Sequence, residues 1–433
     1  MDAWRAFVQL TPRRVLKRAV LCLCASLVAA SVSGITLKVD YTLDSSGFFG
    51  NGNAAGPAAG AQAKAALEAA ASYYSLILTD AFSAIQAPPN FTSTAGGTAT
   101  FKWTIGIENP SLAGNLLSFD NQVLAADEYR IYAGARSLPG STIGVGGFST
   151  PGYETKISGA FNPGEGAAQS LKAQQFVDAV TKRGQASGFV TWGGTIAFDT
   201  DANANWHFNH TTAPTVNKND FYSVALHELG HALGLGTSSQ WKSLSTSAFF
   251  TGSAATSLMG GNPPLGPVDS ANGTRGHWAE GTMSKVYGSN IPQEALLDPT
   301  ITSGTRKRLT ALDAAAMTDI GWSLTAPPPL SYLPADFNDD GLVNAADLTM
   351  WKGAFGVNAN GDANGDNVTN GADFLVWQRQ FGQTPAVAAA SPAAQAVPEP
   401  SAGILSAIAT MLLAAARRYA ASSGRIFAAK PTH

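Results

Sequence analysis

The amino-acid sequence predicts an α+β fold for its largest region, residues 34–325, followed by a small α-helical module at residues 334–382. In the larger region, segments with alternating apolar residues, typical of half-buried strands, are interspersed with segments whose apolar residues recur at helical spacing. The strands are separated by hairpin-like gaps rather than by regular crossover helices, which favours α+β over a doubly wound sheet. A proline-rich stretch at residues 326–333 predicts a linker between the two parts.

The predicted elements of the larger region begin with a strand at residues 35–41, where apolar and polar residues alternate. A helix follows at residues 58–85, because apolar residues recur there at three- and four-residue steps and give one apolar stripe. The remaining predicted elements are strands at residues 99–107, 128–133 and 194–198, and helices at residues 167–181, 220–235 and 309–322.

Composition and charge narrow the classes of partner. Charged residues make up 13% of the chain, against about 25% in an average soluble domain. The formal net charge is -3, so the chain lacks the basic excess that binding to a polyanion requires. We therefore expect no nucleic-acid partner.

The first 33 residues have the three parts of a secretory signal peptide. A basic segment at residues 13–18 precedes an apolar run at residues 19–30, and small residues follow. The alternative is a permanent transmembrane anchor, but the run is shorter than the ~20 residues that a membrane span needs. Both cysteines, Cys22 and Cys24, lie in this run, so cleavage leaves a mature chain without cysteine. We expect the protein to be exported.

Three residues of one predicted helix have the arrangement of a zinc site. His227 and His231 are four residues apart, which on a helix places both imidazoles on one face, within reach of one ion. Neutral imidazoles suit zinc better than calcium or magnesium. Glu228, beside the first histidine, has the chemistry to take a proton from an attacking water and return it to a leaving amine. The alternative is a chance match in a buried helix, which so specific a pattern disfavours.

A catalytic zinc site also needs a third protein ligand. The histidines that remain are His207, His210, His277 and His433. His433 ends the C-terminal tail and is the weakest candidate. His207 and His210 flank a segment leading into the zinc helix, where they equally suit hydrogen bonding or lining a cleft. The residues alone leave these two open as rivals of His277.

The sequence HELGHALGLGT at residues 227–237 resembles the extended zinc-binding motif of the metzincin proteases. Gly234 matches the glycine of its turn, whereas Thr237 stands where the third histidine would be. A longer segment followed by GHWAE at residues 276–280 is similar to the leishmanolysin-like metzincins, in which an insertion precedes the third histidine. This resemblance implies a zincin-like catalytic domain, His277 as the third zinc ligand and hydrolysis of peptide bonds.

The same resemblance implies two further features. A methionine turn lies beneath the zinc in metzincins, and the matching segment here is residues 295–299, with Leu297 at the methionine position. Met283 is the alternative. An edge strand above the zinc pairs with the substrate backbone, and residues 193–198 are the expected strand.

The module at residues 334–382 contains a repeat with the spacing of calcium-binding loops. Each copy runs into a short helix, predicted at residues 348–355 and 374–381. A solvated acidic linker would not explain so regular a repeat. The module resembles a type I dockerin, which implies bound Ca²⁺ and a cohesin-like partner. The expected calcium ligands are Asp336, Asn338, Asp340, Asn344 and Asp347 in the first loop, and Asp362, Asn364, Asp366, Asn370 and Asp373 in the second.

The C-terminal residues resemble a sorting signal. An Ala/Pro-rich linker at residues 383–397 precedes residues 398–418, in which VPEP is followed by an apolar run and two arginines. This segment resembles a PEP-CTERM signal, which implies exosortase-type machinery and transient membrane anchoring before a short tail at residues 419–433. The alternative is a plain C-terminal membrane anchor.

We expect an exported zinc endopeptidase held or sorted at the cell surface. The principal alternative is a catalytically degenerate, calcium-dependent surface-binding or adhesion protein, which Thr237 and Leu297 favour and Glu228 disfavours. A zinc hydrolase acting on a non-peptide bond is the third hypothesis.

Overall fold

A computed structural model of the chain describes residues 34–210, 214–215, 217–268, 275–327, 333–337, 343–357, 361–364 and 368–383. The predicted signal peptide at residues 1–33 and every prediction for residues 384–433 lie outside the described residues, as does most of the predicted linker at residues 326–333. Among the described residues, no helix is long and apolar enough to cross a membrane.

The described strands and helices alternate irregularly along the chain. The strands are β1 (Thr36–Asp40), β2 (Phe91–Thr92), β3 (Thr98–Glu108), β4 (Leu116–Asp120), β5 (Glu128–Arg136), β6 (Gly144–Phe148), β7 (Pro151–Ser158), β8 (Gly193–Asp199), β9 (Trp206–His207), β10 (Asn219–Asp220), β11 (Met283–Lys285) and β12 (Pro292–Glu294). The helices are α1 (Pro57–Ile77), α2 (Glu165–Lys182), α3 (Phe221–Ala232), α4 (Ser239–Leu244), α5 (Ser253–Met259), α6 (Ala311–Ile320), α7 (Ala345–Ala354) and α8 (Gly371–Gln380).

A four-stranded mixed sheet organises the larger region, with strand order β1-β5-β8-β6. The first three strands are parallel, and β6 joins β8 antiparallel at the edge. The expectation that hairpin-like gaps connect the strands is wrong for this sheet, because parallel neighbours need long crossovers. Helix α1 lies in the crossover from β1 to β5, and α2 in that from β5 to β8. The presence of separate sheets and helices agrees with the predicted α+β class.

Helices α1 and α3 pack together beside this sheet and share one apolar core with it. Small buried residues such as Ala63, Ala66 and Ala70 let α1 approach closely. The helix ends at Ile77, eight residues before the predicted end. Leu78 is extended and forms a bridge with Leu324, and Leu78 and Phe82 join the same core from outside the helix.

A second, antiparallel sheet contains β2, β3, β4 and β7, with β3 at its centre. Alternate residues of β3 are buried, including Phe101, Trp103 and Ile105. They form a separate core with residues of α2, of which Phe176 is one. The sequence predicted β3 and α2, but it did not predict β4 and β7, whose residues are mostly exposed.

The C-terminal module consists of α7, α8 and their leading loops, arranged as two similar halves. Trp351 Nε1 donates to the carbonyl oxygen of Asn370 (3.0 Å), and Trp377 Nε1 donates to that of Asn344 (2.9 Å). Both helices begin three residues before the predicted start and end one residue before the predicted end. The tryptophan of each half thus donates to the loop of the other half. Such reciprocal contacts are expected when two copies of one sequence repeat pack together.

Candidate metal centre

Helix α3 carries the predicted zinc motif and is anchored at its first turn. Asp220 is the N-cap residue and accepts from the backbone N–H of Ser223 (3.1 Å). The same carboxylate forms a buried, two-pronged ion pair with Arg306, at 2.8 and 3.0 Å. A capped N-terminus paired with a fixed charge holds the start of the helix in place.

The last turn of α3 is held by side chains from other elements. The hydroxyl of Tyr129 donates to the carbonyl oxygen of Ala232 (2.6 Å), and Trp322 Nε1 donates to that of Leu233 (2.8 Å). Thr237 Oγ1 donates to the carbonyl oxygen of His231 (2.8 Å). Gly234 turns the chain with a φ of 94°, a conformation that favours glycine. Carbonyl groups that a helix end leaves unpaired are therefore satisfied here.

Three histidines converge where the sequence predicted the metal. The Nε2 atoms of His227 and His231 are 3.1 Å apart, and each lies 3.1–3.2 Å from Nε2 of His277. Bonds of 2.0–2.1 Å at tetrahedral angles would separate such nitrogens by about 3.3 Å. The triangle therefore has the size that one zinc ion requires.

The hydrogen bonds of two of these rings are a second observation that fits a bound metal ion. His227 Nδ1 lies 2.8 Å from the carbonyl oxygen of Leu296, and His231 Nδ1 lies 2.9 Å from that of Leu235. A carbonyl oxygen only accepts, so Nδ1 of each ring must carry a hydrogen, and in the neutral ring Nε2 is then bare. Lone pairs that face each other at this distance are stabilised by a cation between them, so the donor set fits a metal.

Burial favours the neutral form of all three rings, as metal ligation requires. It lowers the pKa of His277 to about 4. Burial and then the charge of His277 lower the pKa of His231 to about 3. The pKa of His227 lies well below its usual value for the same first reason. The three rings are thus able to donate lone pairs at neutral pH.

Glu228 lies against the edge strand of the main sheet. A Cβ on Gly144 of β6 would lie 2.5 Å from Glu228 Oε1, and a Cβ on Gly146 would overlap the helix backbone at the same residue. Glycines in β6 thus allow the strand and the zinc helix to touch. Burial raises the pKa of Glu228 to about 8, which suits a group that both takes and returns a proton near neutral pH.

His277 is held in place through its neighbour Trp278. The backbone N–H of Trp278 donates to the carbonyl oxygen of Leu297 (3.0 Å), and its indole N–H donates to Asp313 Oδ1 (2.8 Å). The carbonyl oxygen of His277 accepts from the backbone N–H of Gly266 (2.9 Å). The third histidine therefore sits on a segment that is fixed on both sides.

The segment at residues 295–299, which the resemblance matches to the methionine turn, contacts the zinc helix and the ring of His227. Leu297 is fully buried, and its side chain packs beside Gly230 of α3. The carbonyl of the preceding Leu296 holds the ring of His227. Met283, the alternative for this position, is wrong, because it lies in β11 with 54% of its surface exposed.

The rival histidines lie elsewhere. His207 Nδ1 accepts from the hydroxyl or backbone N–H of Thr215 (3.2 and 3.4 Å), and His210 stacks on the ring of Tyr222. Neither belongs to the three-histidine group. His433 lies outside the described residues.

The predicted substrate-binding strand is wrong. Residues 193–198 form β8, which pairs with β5 on one side and with β6 on the other. Its backbone groups are therefore already used. The edge of the sheet next to Glu228 is β6, residues 144–148.

Sequence reasoning did not find Asp313, which lies in the first turn of α6 and is fully buried. Besides the indole of Trp278, its carboxylate accepts from the backbone N–H groups of Leu296 (2.9 Å) and Leu297 (3.2 Å). It also forms a capping box with Thr310. The pattern Thr-x-x-Asp before an apolar helix signals such a cap, but the sequence gives no sign of the remaining contacts.

A second group of acidic residues lies near the same turn. Oxygen atoms of Glu280, Glu294 and Asp298 lie within 4.8 Å of one another. Lys307 Nζ lies 2.6 Å from Glu294 and 3.5 Å from Asp298. A lysine thus already balances part of this charge.

The predicted calcium loops are described only in part, and Asn338, Asp340 and Asp366 lie outside the described residues. Asp336, Asp347 and Asp373 are buried. Asp347 and Asp373 close capping boxes with Asn344 and Asn370. Asp373 Oδ1 also accepts from the backbone N–H of Asn364 (3.1 Å), next to Ala363 and Asp362. The second loop thus folds back onto the start of its helix.

Comparison with known proteins gives one match. The sequence model of a peptidase family described as matrixin matches residues 168–258. This segment contains β8 and α3 with the first two histidines and Glu228, and it ends before His277. No curated protein and no solved structure matches the chain. The match supports a metzincin-type zinc metallopeptidase, since matrixins bind catalytic zinc.

Proposed function

We propose that the protein is a zinc-dependent endopeptidase with His227, His231 and His277 as the zinc ligands. The observation that carries this proposal is the convergence of three histidine Nε2 atoms beside a buried glutamate. The matrixin match over the zinc helix supports the same chemistry.

Glu228 is the proposed catalytic residue. Zinc, when bound, supplies a Lewis acid that polarises the scissile carbonyl and makes a water molecule more acidic. The carboxylate of Glu228 would take the proton of the attacking water as the new C–O bond forms, and would return it to the amine nitrogen as the peptide C–N bond breaks.

The edge strand β6 is the proposed binding site for the substrate backbone. Its outer side has no strand partner among the described residues. An extended peptide that pairs with this edge would continue the sheet past Glu228, which touches Gly144 of the same strand. Such pairing recognises main-chain groups, which fits a peptide substrate.

The test is cleavage of casein by the purified protein together with its zinc content. We expect about one zinc per chain, and chelation should abolish cleavage. Glu228→Gln should retain zinc and lose cleavage by at least about 100-fold, the lower range for a general base. Retention of both zinc and full cleavage would exclude Glu228 as the base. Zinc-loaded wild-type protein without any cleavage would favour a degenerate binding protein instead.

The third ligand is tested separately. His277→Ala should lose most zinc affinity, whereas His210→Ala should bind zinc like the wild type, because His210 lies outside the three-histidine group. A His277→Ala protein with normal zinc affinity and cleavage would rule out our ligand assignment.

We further propose that the enzyme is exported and sorted to the cell surface through its terminal segments, and that the C-terminal module binds Ca²⁺ and docks to a cohesin-like protein. The sequence repeat and the two buried aspartates, Asp347 and Asp373, support calcium binding. Each loop is in contact with a tryptophan, Trp351 or Trp377. Tryptophan fluorescence should therefore change on calcium addition, and Asp347→Ala with Asp373→Ala should abolish the change. An identical response in the double variant would contradict the proposed loops.

A further inference from the structure

The chain segment between the glycine turn of α3 and His277 contains an aromatic cluster. Trp241, Phe250 and Trp278 are each fully buried. Ring centroids lie 4.5 Å apart for Trp241 and Phe250, 5.1 Å for Trp241 and Trp278, and 5.5 Å for Phe250 and Trp278. Two members of this cluster come from the intervening segment, and the third directly follows His277.

Trp241 is fixed by the turn that ends the zinc helix. The backbone N–H of Ser238 donates to the carbonyl oxygen of Gly234 (3.0 Å). Ser238 is in turn the N-cap of α4 and accepts from the backbone N–H of Trp241 (3.1 Å). The position of Trp241 is thus tied by short-range contacts to the helix that carries His227 and His231.

The same tryptophan reaches the segment that carries His277. Its indole N–H donates to the carbonyl oxygen of Arg275 (2.8 Å), two residues before His277. Gly236, with a φ of 74°, lies against Gly276, and a Cβ there would overlap the carbonyl oxygen of Gly276. The two segments are therefore in van der Waals contact next to the third histidine.

We propose that Trp241 is the positioning residue for the third ligand. Its ring supports Trp278 and its indole N–H holds the backbone at Arg275, so the residues on both sides of His277 are set relative to the zinc helix. This inference rests on the proposed zinc centre. The segment between the glycine turn and His277 then contributes to metal binding by positioning His277. A ligand displaced by a fraction of an ångström binds metal less well.

The test compares two Trp→Phe variants that each lose one indole hydrogen bond. Trp241→Phe keeps an aromatic ring but cannot hold Arg275. The control is Trp103→Phe, because Trp103 is equally buried and donates to the carbonyl oxygen of Gln122 (2.9 Å) in the second core. Zinc affinity of the whole protein is measured by competition with a chelator. We expect about 10- to 100-fold weaker binding for Trp241→Phe, the range for supporting groups around a metal, and less than about twofold change for the control. Equal affinities in the two variants would overturn the proposal.

A double-variant comparison distinguishes positioning from general destabilisation. In a His277→Ala background, zinc is held by the two histidines of α3, and Trp241→Phe should have no further effect on its affinity. The same loss in both backgrounds would show that Trp241 does not act through His277 and would overturn the proposal. Failure of the wild-type protein to bind zinc would instead refute the metal centre itself.

Discussion

Asp313 offers the sharpest test of how the metal centre is assembled. Its two oxygens accept five hydrogen bonds, from Trp278 Nε1 and the N–H of Leu297 at Oδ1, and from the N–H of Leu296 and the N–H and hydroxyl of Thr310 at Oδ2. Asp313→Asn replaces one oxygen by an amide that only donates. In either orientation of the amide, at least two of these bonds are lost.

The expected loss in unfolding free energy follows from the free energy that each of those hydrogen bonds contributes. A hydrogen bond to a charged group contributes about 1.5–3 kcal/mol, so two lost bonds correspond to about 3–6 kcal/mol. The neutral amide relieves part of the cost of a buried charge, which places the expected loss in unfolding free energy near 3 kcal/mol. Zinc affinity should also fall, because the same carboxylate holds Trp278 beside His277 and Leu296 beneath His227.

The assay is urea unfolding of the zinc-free protein, with zinc affinity measured in parallel. Asp319→Asn is the matched control, since Asp319 lies on the same helix and accepts from the backbone N–H groups of Ala254 (2.8 Å) and Ala255 (2.9 Å) at the start of α5. Asp319→Asn loses at least one of these bonds, but at a carboxylate that is only half-buried, so the control should lose about 1 kcal/mol and no zinc affinity. An Asp313→Asn protein as stable as the control, with normal zinc affinity, would refute the assigned role.

Three further substitutions have defined outcomes. Gly144→Ala places a methyl group against the Glu228 carboxylate. We expect kcat to fall about 10- to 100-fold while the zinc content stays unchanged. A normal kcat would contradict the close contact between β6 and Glu228. Thr237→Val removes the hydroxyl that caps the zinc helix. The variant should lose about 1 kcal/mol of unfolding free energy, measured by thermal unfolding, and should bind zinc fully. Loss of zinc binding would identify Thr237 as a ligand. Arg306→Met leaves Asp220 buried and unpaired, which should cost about 3–5 kcal/mol in urea unfolding; a loss below 1 kcal/mol would exclude a structural ion pair.

The zinc helix could be predicted from the sequence because its information is local. A spacing of four residues sets two imidazoles on one helical face whatever the rest of the fold does. The position of His277 is not local, since 46 residues separate it from His231. The residues alone did not exclude His207 or His210 as the third zinc ligand. Only the resemblance to leishmanolysin-like proteins favoured His277. The structure brings its Nε2 to within 3.2 Å of both other rings.

The edge strand could not be predicted for a physical reason. The sequence GVGGF at residues 144–148 has three glycines, and glycine is depleted in strands. Two of them, Gly144 and Gly146, are explained by the approach of α3, which is a tertiary contact. Residues 193–198 have stronger strand character because β8 is central and buried on both faces. The more apolar strand was therefore mistaken for the edge.

The two departures from the metzincin pattern do not remove a group that the site uses. At Leu297 the polar contacts are made by the backbone, whose N–H donates to Asp313 and whose carbonyl accepts from Trp278. The side chain only fills space, and Leu and Met are close in volume. The hydroxyl of Thr237 donates to the carbonyl oxygen of His231 at the end of the zinc helix, while His277 reaches the same pair of histidines. The features that favoured a degenerate protein are thus compatible with an intact centre, and the alternative now depends on whether Glu228→Gln abolishes cleavage.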